Sequence, residues 1–244
     1  MERSVYKARR ELFNRMEIPV TKADIHILKW KQRFRLLFWE SMLRSLLVFK
    51  RMLDIIVSLT ALILFAPICL LIGLCILIED GFPVIYMQKR VGLNGLEFRF
   101  YKFRSMVRNA DELLEQLEQQ NESGDGVIFK MKKDPRVLRC GRFLRRSSLD
   151  EIPQFINVLA GNLSVVGPRP PLPKEVKTYT LSERKRLHVK PGLTCLWQIR
   201  GRSDIPFSEQ VSLDLQYIQS QSLLKDIVIM LKTIPAILFG RGAY

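Results

Sequence analysis

From Ile55 to Ile78 the chain carries no charged side chain. At 1.5 Å per residue a straight helix of that length reaches ~36 Å, enough to cross the hydrocarbon of a bilayer, so the chemistry of the remaining chain is tied to a membrane. Pro67 sits at the centre of the run. It removes one helical hydrogen bond and its ring meets the carbonyl of Ile63, four residues back, which predicts a bend. The residues leave two topologies open: a re-entrant helix hairpin broken at Pro67 that returns to the same face, or an ordinary kinked spanning helix. Arg35, Arg44, Lys50 and Arg51 precede the run and Lys89 and Arg90 follow it, so neither flank looks exported. A hairpin reconciles two basic flanks, with the backbone groups freed at the bend met by Ser58 or Thr60. The N-terminal MERSVYKARRELFNRMEIPV is charged throughout and lacks the apolar core and cleavage site of a removed signal peptide.

Beyond that run and its basic leader, about 165 residues are left for a globular part, the size of one domain. The net charge of +15 over 244 residues calls for an anionic partner: nucleic acid, acidic headgroups or a phosphorylated substrate. Cys69, Cys75, Cys140 and Cys195 form no CxxC pair or disulfide-like array, which fits a reducing, cytosolic setting. His26 and His188 lie far apart without a metal-ligand pattern, which argues against a His-rich zinc site and removes many hydrolase mechanisms.

Trp30 to Lys50 mixes aromatic and aliphatic residues with Lys and Arg at helical spacing, as an interfacial amphipathic helix does; a helix packed on the soluble domain is the plainer reading. Asn94-Gly95 between VIYMQKRVG and LEFRFYKFRSM predicts a β-hairpin. Residues 109–120 read as a helix and Gly124 to Gly126 as a mobile loop. Asp134-Pro135 predicts a helix start, with the helix running through VLRCGRFLRR. A second helix is expected over Pro153 to Ala160, with Gly161 just past its end. Further helices are expected over 181–188, 207–220 and 223–239, the last strongly apolar and buried against the bilayer surface or the core. The fold class is therefore α+β and membrane-associated, in three segments: a basic amphipathic extension (1–49), the membrane helix hairpin (50–80) and a catalytic domain of a small β-hairpin and helices (81–244).

Within that domain, Arg136, Arg139, Arg142, Arg145 and Arg146 precede two adjacent carboxylates, Asp150 and Glu151. Such a pair beside guanidinium groups can hold a divalent cation or attack phosphorus while the arginines neutralise phosphate oxygens. The rival is structural: Ser148 to Glu151 also matches a capping box. Against it, Pro153 would fall inside the helix so capped and Asp150 has no place in the box. As a nucleophile, Asp150 is expected to be an exposed carboxylate kept ionised by arginines and a metal. Arg169, between Pro168 and Pro170, is a guanidinium on a rigid turn that can be aimed at a diphosphate, or else an ordinary surface turn. Lys102 and Arg104 project from one face of a strand, toward phosphate or toward water. In GLTCLWQIRGR, Gln198 and Arg202 can shape a nucleotide or sugar pocket, while Trp197 is equally suited to the core.

Taken together, KRMLD (Lys50 to Asp54), YKFRSM, LRRSSLDEIPQFINVLAGNLSVVGPRP, KPGLTCLWQIRGRS and LDLQYI (Leu213 to Ile218) occur in an order that resembles the bacterial sugar transferase family, the monotopic polyprenyl-phosphate glycosyl-1-phosphate transferases, in its short form. The resemblance implies transfer of a sugar 1-phosphate from a UDP-sugar to undecaprenyl phosphate with release of UMP and a requirement for Mg2+. It implies Asp150 as the nucleophile that forms a phosphosugar-aspartyl intermediate and Glu151, with Asp150, at the metal. Arg169 and its prolines correspond to a Pro-Arg-Pro element near the nucleotide phosphates, and Lys102, Arg104 and Arg145 to further phosphate contacts. Relatives of the short form often carry serine where Ala66 precedes Pro67. The LWQIRGRS stretch looks like members that use UDP-glucose or UDP-galactose. The implied setting is the bacterial inner membrane, with the catalytic domain facing the cytoplasm at the start of exopolysaccharide, capsule or O-antigen synthesis. Nucleic acid is not an expected partner, and a homodimer is compatible with the chain. The rival from another class is a non-enzymatic, membrane-anchored basic binding module.

Overall fold

The computed structural model describes residues 22–117, 131, 134–201 and 205–238. The leader before Lys22, the loop expected at Gly124 to Gly126 and Arg202 lie outside the described residues. The helices are α1 (Lys22–Asp80), α2 (Ala110–Leu117), α3 (Arg139–Ser147), α4 (Gln154–Leu159), α5 (Pro173–Thr178), α6 (Leu181–Arg184), α7 (Phe207–Gln219) and α8 (Leu223–Leu238). The strands are β1 (Ile85–Val91), β2 (Glu97–Phe103), β3 (Ser164–Val166) and β4 (Gly192–Thr194).

The chain divides into two compact units, one ending at Phe49 and the other beginning at Lys50. In the first, Trp30 stacks on Phe34 at 5.8 Å and Phe38 meets Trp39 edge-on at 6.4 Å. Trp30, Phe34, Leu37, Phe38 and Trp39 are all exposed.

Helix α1, which ends in the second unit, is long and apolar enough, by length and composition, to cross a membrane. Pro67 lies inside α1, with no interruption of the helix at that residue. Both ends of this stretch are fastened to the same domain by polar bonds. At one end buried Asp54 accepts from the Ser164 hydroxyl and the Val165 amide, both at 3.0 Å. At the other, the Glu79 carboxylate accepts from the amides of Arg139 (2.6 Å) and Cys140 (2.9 Å), while Asp80 pairs with Arg104 at 3.0 Å. Between these anchors, Ile63, Leu64, Leu70 and Leu71 are exposed.

Strands β1 and β2 pair antiparallel, from Ile85 opposite Phe103 to Val91 opposite Glu97. Asn94 (φ 56) and Gly95 (φ 81) supply the left-handed turn that their dipeptide predicts, but inside a connection running from Gly92 to Leu96. The β3–β4 pair, parallel with Ser164 opposite Gly192 and Val166 opposite Thr194, was not expected from sequence. It requires glycine at a crossing: a Cβ on Gly192 would overlap the Gly167 backbone. Around this pair Val158, Leu163, Val166, Trp197, Tyr217 and Ile229 form the main core. A second cluster joins Ile72 and Ile76 of α1 to Phe103, Leu144 and Ile152. Helix α8 buries Asp226 and Ile229 and leaves Leu224, Leu231 and Ile234 exposed, so it packs on the core by one face only. Asp226 takes Lys50 Nζ at 2.5 Å and the Tyr217 hydroxyl at 2.8 Å, which fixes α8 to the start of the second unit.

The helix expected from Asp134 begins at Arg139 instead. Asp134 does not act as an N-cap: its carboxylate takes the Arg136 amide and guanidinium, and Val137 forms a β-bridge with Met106. The cap comes from Glu79, far away in sequence. Helix α4 is held on β2 by one buried side chain, Asn157, whose amide donates to the Arg99 carbonyl (2.6 Å) and whose oxygen accepts from the Tyr101 amide (3.1 Å). The far end of α4 is closed by Arg51, which donates to the Val158 and Leu159 carbonyls at 2.6 and 2.8 Å. Replacing Asn157 by the similarly sized Leu strands both β2 backbone groups. Asn157→Leu is expected to lower unfolding free energy by about 2–4 kcal/mol, read by denaturant titration in detergent.

Candidate functional site

Helix α3 ends at Ser148, which adopts a left-handed conformation (φ 56) and turns the chain into a 3-10 turn, Leu149–Glu151. The Ser148 side chain makes no capping bond, so the capping-box alternative is not realised. Pro153 then opens α4 from outside the helix. Asp150 and Glu151 therefore occupy a short turn between two helices, facing the end of β2.

That strand delivers Lys102. Its ammonium lies 2.7 Å from Glu151 Oε1 and 3.8 Å from Asp150 Oδ2, so one cation serves two carboxylates. The acids differ in surroundings. Asp150 is buried at 6% exposure, in contrast to the exposed carboxylate expected from sequence. Burial pushes its carboxyl up to about 6, with Lys102 and Arg145 pulling it down and the Glu151 charge pushing it up. Glu151 is held below the usual range: burial alone would raise it, but the Lys102 ammonium, the Arg169 guanidinium and the Gln154 amide outweigh burial.

Arg169 is exposed on its turn while Pro168 and Pro170 are fully buried, so the backbone is fixed and the guanidinium is presented. The turn is held from β1. Buried Arg90 donates to the Pro170 carbonyl at 3.0 Å and the Val91 amide to Pro171 at 2.9 Å, while the Arg90 guanidinium lies 5.4 Å from the Phe100 ring centroid. Burial and the nearby Arg169 charge depress Arg90 to about 10.

The structure thus gathers Lys102, Arg145, Asp150, Glu151 and Arg169. It uses Arg104 differently: the side chain is buried and donates to the Asp80 and Gly81 carbonyls at 3.1 and 2.6 Å, closing the end of α1. Trp197 belongs to the core, and Gln198 accepts from Cys195 Sγ at 3.4 Å. Sequence reasoning missed Arg90, Gln154 and Asn157. Gln154 is 2% exposed, and its Nε2 has no hydrogen-bond partner of good geometry. Each of the three is polar, and contacts distant in sequence turn Arg90 and Asn157 inward, so the local pattern carried no signal for them.

Among the described residues, no group of three or more His, Cys, Asp or Glu side chains converges on a metal position. A divalent cation completed by substrate oxygens needs fewer. Magnesium takes hard oxygen donors and uses one or two carboxylates plus phosphates. Asp150 and Glu151, a hard-oxygen pair drawn to a single ammonium, are the residues that would hold such a cation. Removing this ammonium has a defined sign. In Lys102→Met the Asp150 carboxyl is expected to titrate above its present value of about 6, because the largest opposing influence to burial is lost; carbonyl 13C NMR against pH reads the shift.

Compared with known proteins, residues 45–240 match the family described as "Bacterial sugar transferase". The chain is 45% identical over 203 residues to the galactosyl transferase CpsE of Streptococcus agalactiae, covering 82% of this chain and 44% of that protein. It is 42% identical over 198 residues to the exopolysaccharide production protein ExoY of Rhizobium meliloti, covering 80% of this chain and 88% of ExoY. It is 41% identical over 204 residues to the undecaprenyl-phosphate galactose phosphotransferase of Salmonella typhimurium, covering 82% of this chain and 43% of the relative. The chain therefore spans under half the length of two of these relatives and most of the third.

Proposed function

Since the chain belongs to the bacterial sugar transferase family, we propose that it transfers a sugar 1-phosphate, glucose or galactose, from a UDP-sugar to undecaprenyl phosphate with release of UMP. The observation that carries this reading is the turn in which Asp150 and Glu151 share Lys102, between Arg145 and Arg169. A purely electrostatic binding module has no use for a buried carboxylate pushed toward neutrality beside an ionised one, whereas group transfer needs both a nucleophile and a charged partner.

In the proposed reaction an ionised Asp150 oxygen attacks the β-phosphorus of the UDP-sugar. An Asp150 oxygen–phosphorus bond forms, the bond from that phosphorus to the bridging oxygen breaks, and UMP leaves with the electron pair. An oxygen of undecaprenyl phosphate then attacks the same phosphorus and returns Asp150 as carboxylate. Arg169 binds the nucleotide phosphates, Arg145 steadies the Asp150 charge and Lys102 meets phosphate oxygens as it leaves the acid pair. Mg2+ held by Asp150 and Glu151 supplies charge neutralisation at the diphosphate.

A soluble nucleotide sugar and a lipid-borne phosphate meet only at the bilayer surface. We place the domain there, on the cytoplasmic face of the inner membrane, with the apolar middle of α1 dipping in around Pro67 and returning to the same side. The two anchored ends of that stretch support this topology. Cysteines introduced at Met52 and Phe82, in a variant without native cysteines, should label from one side of sealed vesicles only; labelling from opposite sides would remove the re-entrant topology.

For the chemistry, Asp150→Asn should lower UMP release by about four orders of magnitude or more and abolish a phosphosugar adduct seen in trapped wild-type enzyme by mass spectrometry. Glu151→Gln should raise the Mg2+ concentration required, and chelation should stop turnover reversibly. Retained turnover in Asp150→Asn, or an adduct on another residue, would sink the mechanism.

A further inference from the structure

The chain passes from the acidic turn into α4 without leaving helical geometry. Ile152 (φ −53, ψ −40) and Pro153 (φ −60, ψ −17) are both helical, and the Phe155 and Ile156 amides donate to the Ile152 and Pro153 carbonyls at 3.1 Å. Glu151 and Gln154 are therefore i and i+3 on one helical path, a spacing that puts side chains on the same side with about 5–6 Å between their Cβ atoms. The Gln154 amide is close enough to Glu151 to favour its charged form. Yet Gln154 Nε2 is shielded from water and makes no hydrogen bond of good geometry, in a residue only 2% exposed. A buried donor left unmade costs free energy, and methionine would fill nearly the same volume without that cost. Three residues further on, Asn157 fixes α4 to the β2 backbone, so the helix that carries this donor is held in place.

What grips Glu151 in this state is Lys102, at 2.7 Å. In the reaction proposed above Lys102 leaves the acids for phosphate oxygens, and Arg169, another cation acting on Glu151, binds the nucleotide phosphates. The Glu151 carboxylate then needs a new partner, and the neutral amide beside it has a donor to give. We propose that Gln154 is a positioning residue for Glu151: as Lys102 departs, Gln154 Nε2 closes onto one Glu151 oxygen and leaves the other free for a divalent cation. The exchange keeps the carboxylate aimed while its charge partner changes. A neutral donor suits this place because it orients the carboxylate without competing with a cation for its charge. The inference rests on the proposed reaction only for the departure of Lys102.

Lys102→Met imitates that departure without substrate, so the first test needs no turnover. In full-length protein in detergent with 15N-labelled glutamine side chains, the Gln154 signal is identified by its absence from Gln154→Met. In Lys102→Met at mildly alkaline pH, the Gln154 amide protons should move downfield and exchange with water several-fold more slowly than in wild type. Adding Glu151→Met should reverse both changes, because the acceptor is gone. The second test is Gln154→Met itself. It should unfold at the same or a higher temperature than wild type, since an unbonded buried donor is removed. It should nevertheless need about 10–100-fold more Mg2+ for half-maximal UMP release, with kcat at saturating Mg2+ within about threefold of wild type. A Gln154 signal that does not respond to Lys102→Met, or an unchanged Mg2+ requirement in Gln154→Met, overturns the proposal. An inactive wild type with a responding amide would instead remove the proposed reaction and leave the exchange of partners standing.

Discussion

The grip of α1 on both sides of one short turn is the constraint from which the rest of the domain follows. Helices α3 and α4 flank Leu149–Glu151, and each is held at its far end by the same helix. Glu79 takes the first amides of α3, and Arg51 takes the last carbonyls of α4. Each contact satisfies backbone groups that a helix end leaves orphaned, and each places the charge sign that the helix dipole favours there. The apolar stretch between Arg51 and Glu79 can therefore enter lipid without loosening the acidic turn. The ends of that stretch and the helices around Asp150 and Glu151 are held by the same side chains.

Within the turn, a buried and a half-buried carboxylate beside one ammonium cannot share it equally. Glu151 has the shorter contact, 2.7 Å against 3.8 Å, and stays ionised, while Asp150 carries the cost of burial and rises to about 6. A carboxyl near that value is still largely ionised at neutral pH and less strongly solvated than an exposed one. That combination suits a nucleophile better than the exposed, strongly acidic carboxylate expected from sequence. Asn157 matters because it sets this distance from the side: it docks α4, which follows the acids, on the backbone of β2, which carries Lys102.

What was legible in the sequence was whatever local spacing encodes. The Asn94-Gly95 turn, the helix after Pro153 with Gly161 beyond it, and the acid pair after a run of arginines are all written in neighbouring residues. The start of α3 was misplaced because its cap, Glu79, lies sixty residues upstream while Asp134 offered a nearer imitation. The β3–β4 pair escaped because three-residue strands carry no period, and its glycine crossing depends on a partner distant in sequence. Arg104 looked like the twin of Lys102 on one strand face; one residue past the strand end, it closes α1 instead. Arg90, Gln154 and Asn157 were missed for a shared reason. Each is polar and reads locally as a surface residue, yet long-range packing turns it inward.

Arg90 also explains how Arg169 is presented. A guanidinium buried at 7% exposure and depressed to about 10 is an expensive way to hold a carbonyl, and a neutral donor would hold Pro170 as well. Its second effect is electrostatic. Arg90 lies close enough to Arg169 for each to oppose the other's charge, so the resting site carries stored repulsion on one side and the crowded acid pair on the other. In the proposed reaction a diphosphate relieves the first and a divalent cation the second. Neither relief is complete without the other, because either charge arriving alone leaves one cluster unbalanced. Under the proposed reaction, the buried prolines on each side of Arg169 hold its backbone in place, so that mutual dependence would favour a metal-bound nucleotide over either component.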